Sequence, residues 1–403
     1  MLMNSVVVIG GGASGLIAAL TAAENGSNKV ILLERQARVG RKLLATGNGR
    51  CNLTNTGAAL CNYHGSSPEF ALPALNAFPP NETIDYFHSL GLLTVTQYGG
   101  RVYPLSDSAN SVLDVLRLAL DRAGVEVHSA AEVKLISKKN SRFFVATADS
   151  IFECDNVIIA CGGKAGGKIG GSSAGYELLK ALGHHCTKLY PSLVPVTSSS
   201  EYPRSLKGIR VDAKVCLYSG SRCVSESCGE LQFTEKGVSG PVIFDISRSA
   251  AINGGELSAD FFRDYNAQDI FSMLLTRRDE MPELEAQYIF SGMLHNRLGL
   301  VLVKYSSVAP SSHICALSDK DLRLIAENSK NFRLSVKGTG DFDAAQVTAG
   351  GINTSEFNSE TLESRLVPGL YACGEVLDID GDCGGYNLQW AWSSGRLAGR
   401  LKK

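Results

Sequence analysis

Three glycines near the N-terminus have the spacing of a turn that binds a diphosphate group. Gly10, Gly12 and Gly15 follow the apolar run 6–9 and precede a segment with the composition of a helix. In such a turn the first glycine allows the tight bend, the second lets the backbone approach a pyrophosphate, and the third lets helix and strand pack closely. The helix N-terminus offers N–H groups and a positive dipole to the phosphates. The spacing therefore predicts a dinucleotide-binding turn, with Ala13 and Ser14 inside it.

An acidic residue completes this pattern. Glu34 lies at the end of a second buried apolar run, about 20 residues beyond the last glycine of the turn, where a carboxylate accepts hydrogen bonds from adenosine ribose hydroxyls. The context favours a dinucleotide site over a plain strand-to-helix turn with a solvated glutamate. NAD and FAD share the ADP half, so these residues alone leave both cofactors open.

Three further segments favour the longer, flavin-containing cofactor. The run 40–52 combines glycines with cations and amides, which suits a backbone nest around a diphosphate, although a surface loop has a similar composition. The segment 369–375 has the pattern of a short strand that reaches Gly374 and Glu375, and such an acid can bind the ribityl hydroxyls of a flavin. Residues 384–387 open a C-terminal helix whose dipole could stabilise a reduced flavin, the alternative being a helix that only packs.

Composition narrows the class of protein. The chain has 403 residues, of which 44% are hydrophobic and 20% charged, as in ordinary globular proteins of two or three domains. Lys and Arg total 39 against 40 Asp and Glu, and the net charge of -1 provides no general attraction for nucleic acid or anionic membranes. We therefore expect a small-molecule substrate, no nucleic-acid partner and no membrane partner; the oligomeric state stays open.

The cysteines indicate a reducing compartment. There are 11, an odd number, in a long chain whose first strand-like run is preceded by no charged and apolar leader. We expect reduced thiols in a cytoplasmic protein. No CxxC pair occurs, Cys223 and Cys228 are the nearest cysteines in sequence, and no histidine cluster accompanies them, so no metal site is predicted.

The elements that must hold these residues alternate along the chain. Strand, glycine turn, helix and strand follow one another in the first 35 residues, with the helix predicted over 16–25 and ending at Gly26. A helix over 110–123 and a buried strand over 157–160 continue this α/β style. From about residue 191 short β-rich pieces replace it, and between about 265 and 331 the period becomes helical, with helices predicted over 269–278, 284–294 and 319–329.

This change of pattern predicts an interrupted domain. We expect residues 1–190 to form the first part of a cofactor-binding domain and residues 337–403 to complete it. Residues 191–336 would form an insert, built as an antiparallel sheet or small barrel with a helical subdomain at about 265–331.

The motifs together resemble a known family. The blocks GGGASGL, GRKLLATGNGRCNLTN, GRVYPLSD, SGPVIFDIS, VTAGGINTSEF and GLYACGEVLDIDGDCGGYNLQWAWSSGRLAG, which are spread over nearly the whole chain, closely resemble the YhiN/BaiN-like family of bacterial FAD-dependent oxidoreductases, which includes aminoacetone oxidase and bile-acid enone reductases. The resemblance implies a glutathione-reductase-like FAD-binding Rossmann domain interrupted by a β-barrel plus helical insert.

The resemblance also implies the cofactor contacts. FAD would be lined by Gly15, Glu34, Arg41, Lys42, Asn48, Arg50, Asn52, Glu375, Asn387 and Leu388, and Val133 would supply a backbone contact to adenine. Neighbouring residues of the same glycine-rich segments complete the predicted cofactor site: Arg35, Gly47, Gly49, Cys51, Cys161, Gly162, Gly163, Gly374, Gly385 and Tyr386.

The catalytic groups are less defined. Arg50 and Tyr386 are candidates because each lies in a glycine-rich loop expected at the isoalloxazine end of the flavin. The hydroxyls of Tyr103 and Tyr386 could donate to a substrate carbonyl, although a buried tyrosine with a satisfied hydroxyl is the commoner case. Cys51 and Cys383 fall in predicted flavin loops, but they lack redox-pair spacing and are expected to be small packing residues. His184 and His185 are interpreted as surface or capping residues.

The predicted function is hydride transfer between FAD and a small organic substrate. Two reactions stay open: reduction of an enone C=C bond with NAD(P)H as reductant, and oxidation of an amine or amino ketone with oxygen as acceptor. A non-catalytic flavin-binding interaction protein is the third possibility. Because the chain has a single GxGxxG fingerprint, any NAD(P)H is expected to be a transient electron donor.

Overall fold

The computed structural model describes residues 4–24 and 28–401, and the chain folds into two compact units. The first unit comprises the chain up to Tyr190 together with the part from Gln346 onward, and the second unit is Pro191–Ala345. None of the helices in the described ranges is long and apolar enough to cross a membrane.

The helices and strands are numbered in chain order. Residues 4–181 contain β1 (Asn4–Ile9), α1 (Ala13–Glu24), β2 (Asn28–Leu33), α2 (Arg41–Ala45), β3 (Thr54–Asn55), β4 (Tyr63–His64), α3 (Leu72–Ala77), α4 (Pro80–Ser89), β5 (Thr94–Thr96), β6 (Arg101–Pro104), α5 (Ala109–Arg122), β7 (Glu126–His128), β8 (Leu135–Lys139), β9 (Arg142–Ala146), β10 (Ile151–Cys154), β11 (Asn156–Ile159) and α6 (Ala174–Ala181). Residues 190–339 contain β12 (Tyr190–Ser192), β13 (Val196–Ser198), α7 (Tyr202–Ser205), β14 (Arg210–Ser219), β15 (Arg222–Phe233), β16 (Gly237–Ser239), α8 (Pro241–Asn253), β17 (Glu256–Asp260), α9 (Ala267–Glu280), α10 (Asn296–Tyr305), α11 (Asp319–Lys330) and β18 (Phe332–Thr339). The chain ends with β19 (Val347–Ala349), β20 (Leu370–Ala372), β21 (Asp380–Gly381) and α12 (Tyr386–Gly399).

A five-stranded parallel sheet forms the centre of the first unit. Its strand order is β20-β11-β1-β2-β7, and the paired strands are all parallel. Val7, Val8, Leu32 and Ile158 are fully buried, because elements cover both faces and such strands read as continuous apolar runs. The sheet and its glycine turns confirm the Rossmann prediction. The first helix begins at Ala13, three residues earlier than predicted, and its predicted end at Gly26 lies outside the described residues.

Helix α12 packs directly on α1. A Cβ atom at Gly395 would lie 2.3 Å from the carbonyl oxygen of Ser14, and one at Gly399 would lie 2.5 Å from the carbonyl oxygen of Ala18. The two helices approach this closely only because those positions lack side chains. The contact fixes the position of the α12 N-terminus relative to the glycine turn that starts α1.

The second unit contains the predicted barrel. Strands β13-β16-β15-β14-β17-β18 form a closed antiparallel barrel, and β14 and β15 are its long hairpin. Leu217, Phe233, Leu257 and Phe332 are buried inside the unit. The last strand, Phe332–Thr339, continues past residue 336, where the end of the insert was predicted. It pairs with both β17 and β13 and so closes the barrel, and the glycine at 338 does not end it.

Two of the three predicted insert helices are present, and one prediction was wrong. Helix α9 extends its predicted segment by two residues at each end, α11 extends its segment by one residue, and each begins at a capping box. The segment 284–294 forms only a 3-10 turn at Ala286–Tyr288 and further turns, and Gly292 has a φ of +81°. Its apolar residues face the core without helical periodicity, and the helix lies instead at Asn296–Tyr305.

His184 is buried, contrary to its interpretation as a surface residue. Its Nδ1 lies 2.9 Å from Glu356 Oε2, its Nε2 lies 3.0 Å from Ser364 Oγ, and its ring stacks on Phe357. The exposed His185 binds the other carboxylate oxygen of Glu356 at 2.6 Å. Burial lowers the pKa of His184, although Glu356 acts in the opposite direction. Burial would raise the pKa of Glu356, but hydrogen bonds from both histidines lower it overall.

The α1–α12 contact predicts a destabilised variant. Gly395→Ala should lower the free energy of unfolding by about 1–3 kcal/mol, although alanine favours helices, because its methyl group would overlap the Ser14 carbonyl. Differential scanning calorimetry would measure the change in Tm. An unchanged or raised Tm would show that the two helices can separate without cost.

The buried histidine predicts acid sensitivity. Below pH 6.5, the ordinary pKa of histidine, His184 is protonated in the unfolded chain but not yet in the folded protein, where its pKa is lowered. The free energy of unfolding should therefore begin to fall as the pH drops below 6.5. The contribution of Glu356 is present above its ordinary pKa of 4.5 and is lost as pH falls further. Thermal unfolding as a function of pH would show this. His184→Gln should flatten the upper part of the profile, whereas His185→Gln, at an exposed position, should leave it; equal profiles for wild type and His184→Gln would contradict the assignment.

Candidate functional site

The parallel sheet brings the predicted ligand segments to one edge. Gly10 follows β1, Glu34 follows β2, 161–163 follows β11 and 374–375 follows β20, and these four strands are neighbours. The carboxyl ends of parallel strands lie at the same edge of a sheet. Ligands of such sheets usually bind at this edge, in the crevice beside the strand from which the connections run to opposite sides, which here is β1. Segments distant in sequence thus meet because of sheet order.

The glycine turn has the shape needed for a close ligand. A Cβ at Gly10 would lie 2.5 Å from the carbonyl oxygen of Ala160, and one at Gly15 would lie 1.8 Å from the carbonyl oxygen of Gly10. These glycines are required by backbone packing. At Gly12 and Gly162, in contrast, an added Cβ would meet no atom within 4 Å. The turn therefore leaves an open cradle beside the N-terminus of α1, which fits a pyrophosphate.

The Glu34 carboxylate holds the glycine turn through hydrogen bonds. Its Oε2 accepts a hydrogen bond from Gly11 N at 2.7 Å, and its Oε1 accepts one from Gln36 N at 2.7 Å. A carboxylate has about four acceptor sites, so capacity for ribose hydroxyls is left. The backbone of Ala131 binds the carbonyl of Glu34, which brings the segment containing the buried Val133 alongside it. This segment is where the adenine contact was predicted.

Glu375 is held by a cation and a backbone amide. Its Oε2 lies 2.8 Å from Lys42 Nζ, and its Oε1 accepts a hydrogen bond from Thr348 N at 2.7 Å. A Cβ at Gly163 would lie 2.5 Å from the same Oε1. The predicted ligand residues Lys42, Glu375 and Gly163 therefore form one group, which sequence spacing did not show, and Thr348 was missed.

The loop at 46–52 has a constrained backbone. Gly47, Asn48, Gly49 and Cys51 have φ values of 57°, 57°, 86° and 60°, and a non-glycine residue at such angles costs about 1–3 kcal/mol. Asn52 Oδ1 is buried, and it has no hydrogen-bond partner within the described ranges. A buried acceptor of this kind needs a donor, which a ligand N–H or O–H group would supply.

The N-terminus of α12 lies beside this loop. Gly385, with a φ of +102°, is the N-cap, and a Cβ there would lie 3.0 Å from Asn52 Oδ1. The amide of Asn387 is used within the protein: its Oδ1 accepts from Gly381 N at 2.8 Å and its Nδ2 donates to Gly381 O at 2.7 Å. A cofactor contact of Asn387 or Leu388 would therefore use backbone N–H groups, which have no intrahelical acceptor in the first turn.

The catalytic candidates Arg50 and Tyr103 are in contact. The guanidinium of Arg50 lies 4.2 Å from the centre of the Tyr103 ring, and its Nε donates to Asp107. Tyr103 is buried, whereas the Arg50 side chain is 35% exposed. Asp107 was missed, although it ends the block GRVYPLSD. Tyr386 packs edge-on against Tyr63.

The remaining predicted contacts have local roles. Arg35 donates to the carbonyl oxygens of Gly170 and Gly171, and so holds the loop that follows β11. Arg41 donates to the Gln36 side chain at 2.8 Å. The FAD contacts expected of these two arginines stay predictions.

Buried thiols at the site are chemically inert. Burial raises the pKa of Cys51, Cys161 and Cys373 to about 12 each. Thiols with such pKa values carry almost no thiolate at neutral pH, and the thiolate is the reactive form.

The thiol environments predict an alkylation pattern. In the native protein at neutral pH, iodoacetamide should modify the exposed Cys61 and Cys315 and leave Cys51 and Cys373 unmodified. Peptide mass spectrometry before and after denaturation would measure this. Rapid native alkylation of Cys51 would indicate a reactive thiol at the flavin loop.

The glycine turn predicts two separable variants. Gly12→Val should abolish retention of FAD but leave the Tm of the cofactor-free protein nearly unchanged, because its side chain would occupy the open cradle. Gly15→Ala, unlike Gly12→Val, should lower the Tm of the cofactor-free protein, since its methyl group would overlap the Gly10 carbonyl. Flavin absorbance after gel filtration and calorimetry of the stripped proteins would distinguish them. Full FAD retention in Gly12→Val would mean that the cradle is not the cofactor site.

Comparisons with known proteins agree with this fold. The sequence profile described as "HI0933-like protein Rossmann domain" matches residues 4–401. The chain is 40% identical to the 3-dehydro-bile acid delta(4,6)-reductase of Clostridium scindens, over 99% of this chain and 98% of that protein. It is 30% identical to the ribosomal RNA dihydrouridine synthase of Escherichia coli, over 96% and 95% of the two chains.

A solved structure shows the same fold at low identity. The 3-ketosteroid delta1-dehydrogenase of Sterolibacterium denitrificans superposes with a TM-score of 0.50 at 12% identity, covering 98% of this chain and 99% of that chain. The profile match and the reductase relative each cover nearly the whole chain. The chain belongs to the HI0933-like Rossmann family, and it is an FAD-dependent oxidoreductase.

Proposed function

We propose that the protein reduces a carbon–carbon double bond conjugated to a carbonyl group in a small polycyclic substrate of the bile-acid type. The observation that carries this proposal is the 40% identity, over 99% of the chain, to a protein named as a 3-dehydro-bile acid delta(4,6)-reductase. The 30% identical relative is named for dihydrouridine formation in ribosomal RNA. Saturation of uracil also reduces a C=C bond conjugated to a carbonyl, so both names support the same class of reaction.

A small-molecule substrate is favoured over RNA. The identity to the bile-acid enzyme is higher, and the net charge of -1 gives the chain no excess of cations for phosphate binding. RNA reduction is therefore the second candidate, and the test below includes it.

The residues around the crevice fit FAD. The cradle at Gly12 and the N-terminus of α1 would hold the pyrophosphate, Glu34 the adenosine ribose, and Glu375, fixed by Lys42, the ribityl chain. The N-terminus of α12 and the unpartnered Asn52 Oδ1 would face the flavin ring. Reduced FAD supplies the hydride for a C=C reduction. Because only one dinucleotide fingerprint is present, NAD(P)H would be a transient donor that regenerates it.

Arg50 is the candidate that polarises the substrate carbonyl. Contacts with Tyr103 and Asp107 orient its guanidinium, and an oriented cation lowers the barrier when negative charge develops on a carbonyl oxygen. The hydroxyls of Tyr103 and Tyr386 are the candidate donors of the proton that completes the reduction.

Anaerobic flavin spectroscopy would test the reaction. NADH or NADPH should bleach the flavin band at high concentration without forming a stable complex, and a 3-oxo-bile-acid enone should restore it. Recovery with ribosomal RNA but not with enones would favour the RNA reaction. Bleaching by an amine followed by recovery with oxygen would favour an oxidase, and no bleaching by any of these reagents would favour a non-catalytic flavoprotein.

Arg50 variants predict a loss of turnover with retention of cofactor. Arg50→Ala should lower kcat for enone reduction by about 10²–10³-fold, the effect of removing one donor to a developing oxyanion. Asp107→Asn should cause a smaller loss, because it weakens the orientation of Arg50. Tyr103→Phe should also lower kcat, because it removes a candidate proton donor, and Tyr98→Phe, at a fully exposed tyrosine, is its matched control. Wild-type kcat in Arg50→Ala would remove this residue from the mechanism.

A further inference from the structure

The long barrel hairpin presents an outward face with unusual chemistry. Along β14, Val215 and Leu217 are buried in the barrel, whereas the alternating side chains of Lys214 and Cys216 lie on its outer face. The facing strand β15 contributes the exposed Cys223 and Glu226 to this side. These residues lie in the second unit and belong to none of the predicted cofactor segments.

The register of the hairpin brings the groups together. Cys216 is directly opposite Glu226, and an irregularity at Leu217 and Tyr218 shifts the pairing so that Cys223 lies opposite Tyr218. One ligand atom each from Cys216, Cys223 and Glu226 then lies within 4.8 Å of the others. Cys216 Sγ is 3.8 Å from Glu226 Oε2. Without the shift, Cys223 would lie one residue further from Cys216 along the ladder.

We propose that Cys216, Cys223 and Glu226 form a binding site for one thiophilic divalent cation of the Zn²⁺ type, with water as its fourth ligand. Two thiolates and a carboxylate are a donor set that Zn²⁺ accepts. With Zn–S bonds of about 2.3 Å, tetrahedral geometry places sulfur ligands about 3.8 Å apart. The observed separations need a closure of at most about 1 Å, which rotation of surface side chains provides.

Lys214 opposes the cation at this site. Its Nζ lies 3.0 Å from Glu226 Oε2, so it forms an ion pair with the carboxylate that the metal would bind. Its positive charge would also repel the metal cation. Cation binding therefore requires Lys214 to turn into solvent, where its half-exposed side chain has room. Because Lys214 competes with the cation for Glu226, removal of the Lys214 charge should strengthen cation binding.

Titration with Cd²⁺, a spectroscopic substitute for Zn²⁺, tests the site. The protein to be titrated is the full chain with FAD bound and its cysteine thiols reduced. We expect a thiolate-to-metal charge-transfer band in the ultraviolet difference spectrum that saturates at one equivalent, and competition by Zn²⁺ should remove it. Cys216→Ser and Cys223→Ser should each lose this first equivalent, and Glu226→Gln should weaken it on the order of tenfold. Lys214→Met should tighten binding.

The controls separate a built site from scattered thiols. Cys315→Ser, at an exposed cysteine in another turn of the same unit, should bind Cd²⁺ as the wild type does. Equal Tm values of the metal-free proteins would establish that the hairpin variants are folded, as their positions on the outer face of the barrel lead us to expect. A first equivalent that survives in both Cys216→Ser and Cys223→Ser, or the absence of any equimolar binding in the wild type, would overturn the proposal.

Discussion

The close approach of α12 to α1 is the constraint on which the cofactor region depends. Gly395 and Gly399 allow the C-terminal helix to rest on the backbone of the first helix, with no side chain between them. The Gly374 amide also donates to Ser394 on α12, which ties the end of β20 to the same helix. The N-termini of the two helices and the strand end therefore keep a fixed spacing, which a rigid dinucleotide site requires.

Several predicted ligand groups also stabilise the protein that holds them. Glu34 binds the amide of the glycine turn, Lys42 binds Glu375, and Asn387 closes a backbone loop. Each side chain is thus positioned before a cofactor arrives, and less ordering is left for the binding step. Their substitution should therefore alter both stability and cofactor affinity. Gly12 and Asn52 offer a cleaner test of binding, because the space beside Gly12 is open and Asn52 Oδ1 has no partner among the described residues.

The barrel unit uses its hairpin in a different way. Inward residues such as Val215 and Leu217 form its core, so the outer face is free to hold polar and reactive side chains without cost to packing. The strand register decides which of these meet. Cys223 and Cys228 are the nearest cysteines in sequence, yet the cysteine whose sulfur lies within 4.8 Å of the Cys223 sulfur is Cys216, on the other strand.

The sequence by itself determined the dinucleotide turn, the buried strands and the interruption by a β-rich unit, because these depend on local spacing and on periodicity over a few residues. It also identified the segments expected to bind FAD, but their residue-level contacts stay predictions. Tertiary structure alone decided that Lys42 meets Glu375 and that Asp107 orients Arg50, since the two residues of each pair are distant in sequence. It also decided that His184 is buried, because its partner Glu356 comes from a distant segment. It also corrected the helix predicted over 284–294, where apolar residues pack on the core from turns and Gly292 adopts a positive φ. Local pattern fixes the elements, whereas sheet order and strand register fix which side chains meet.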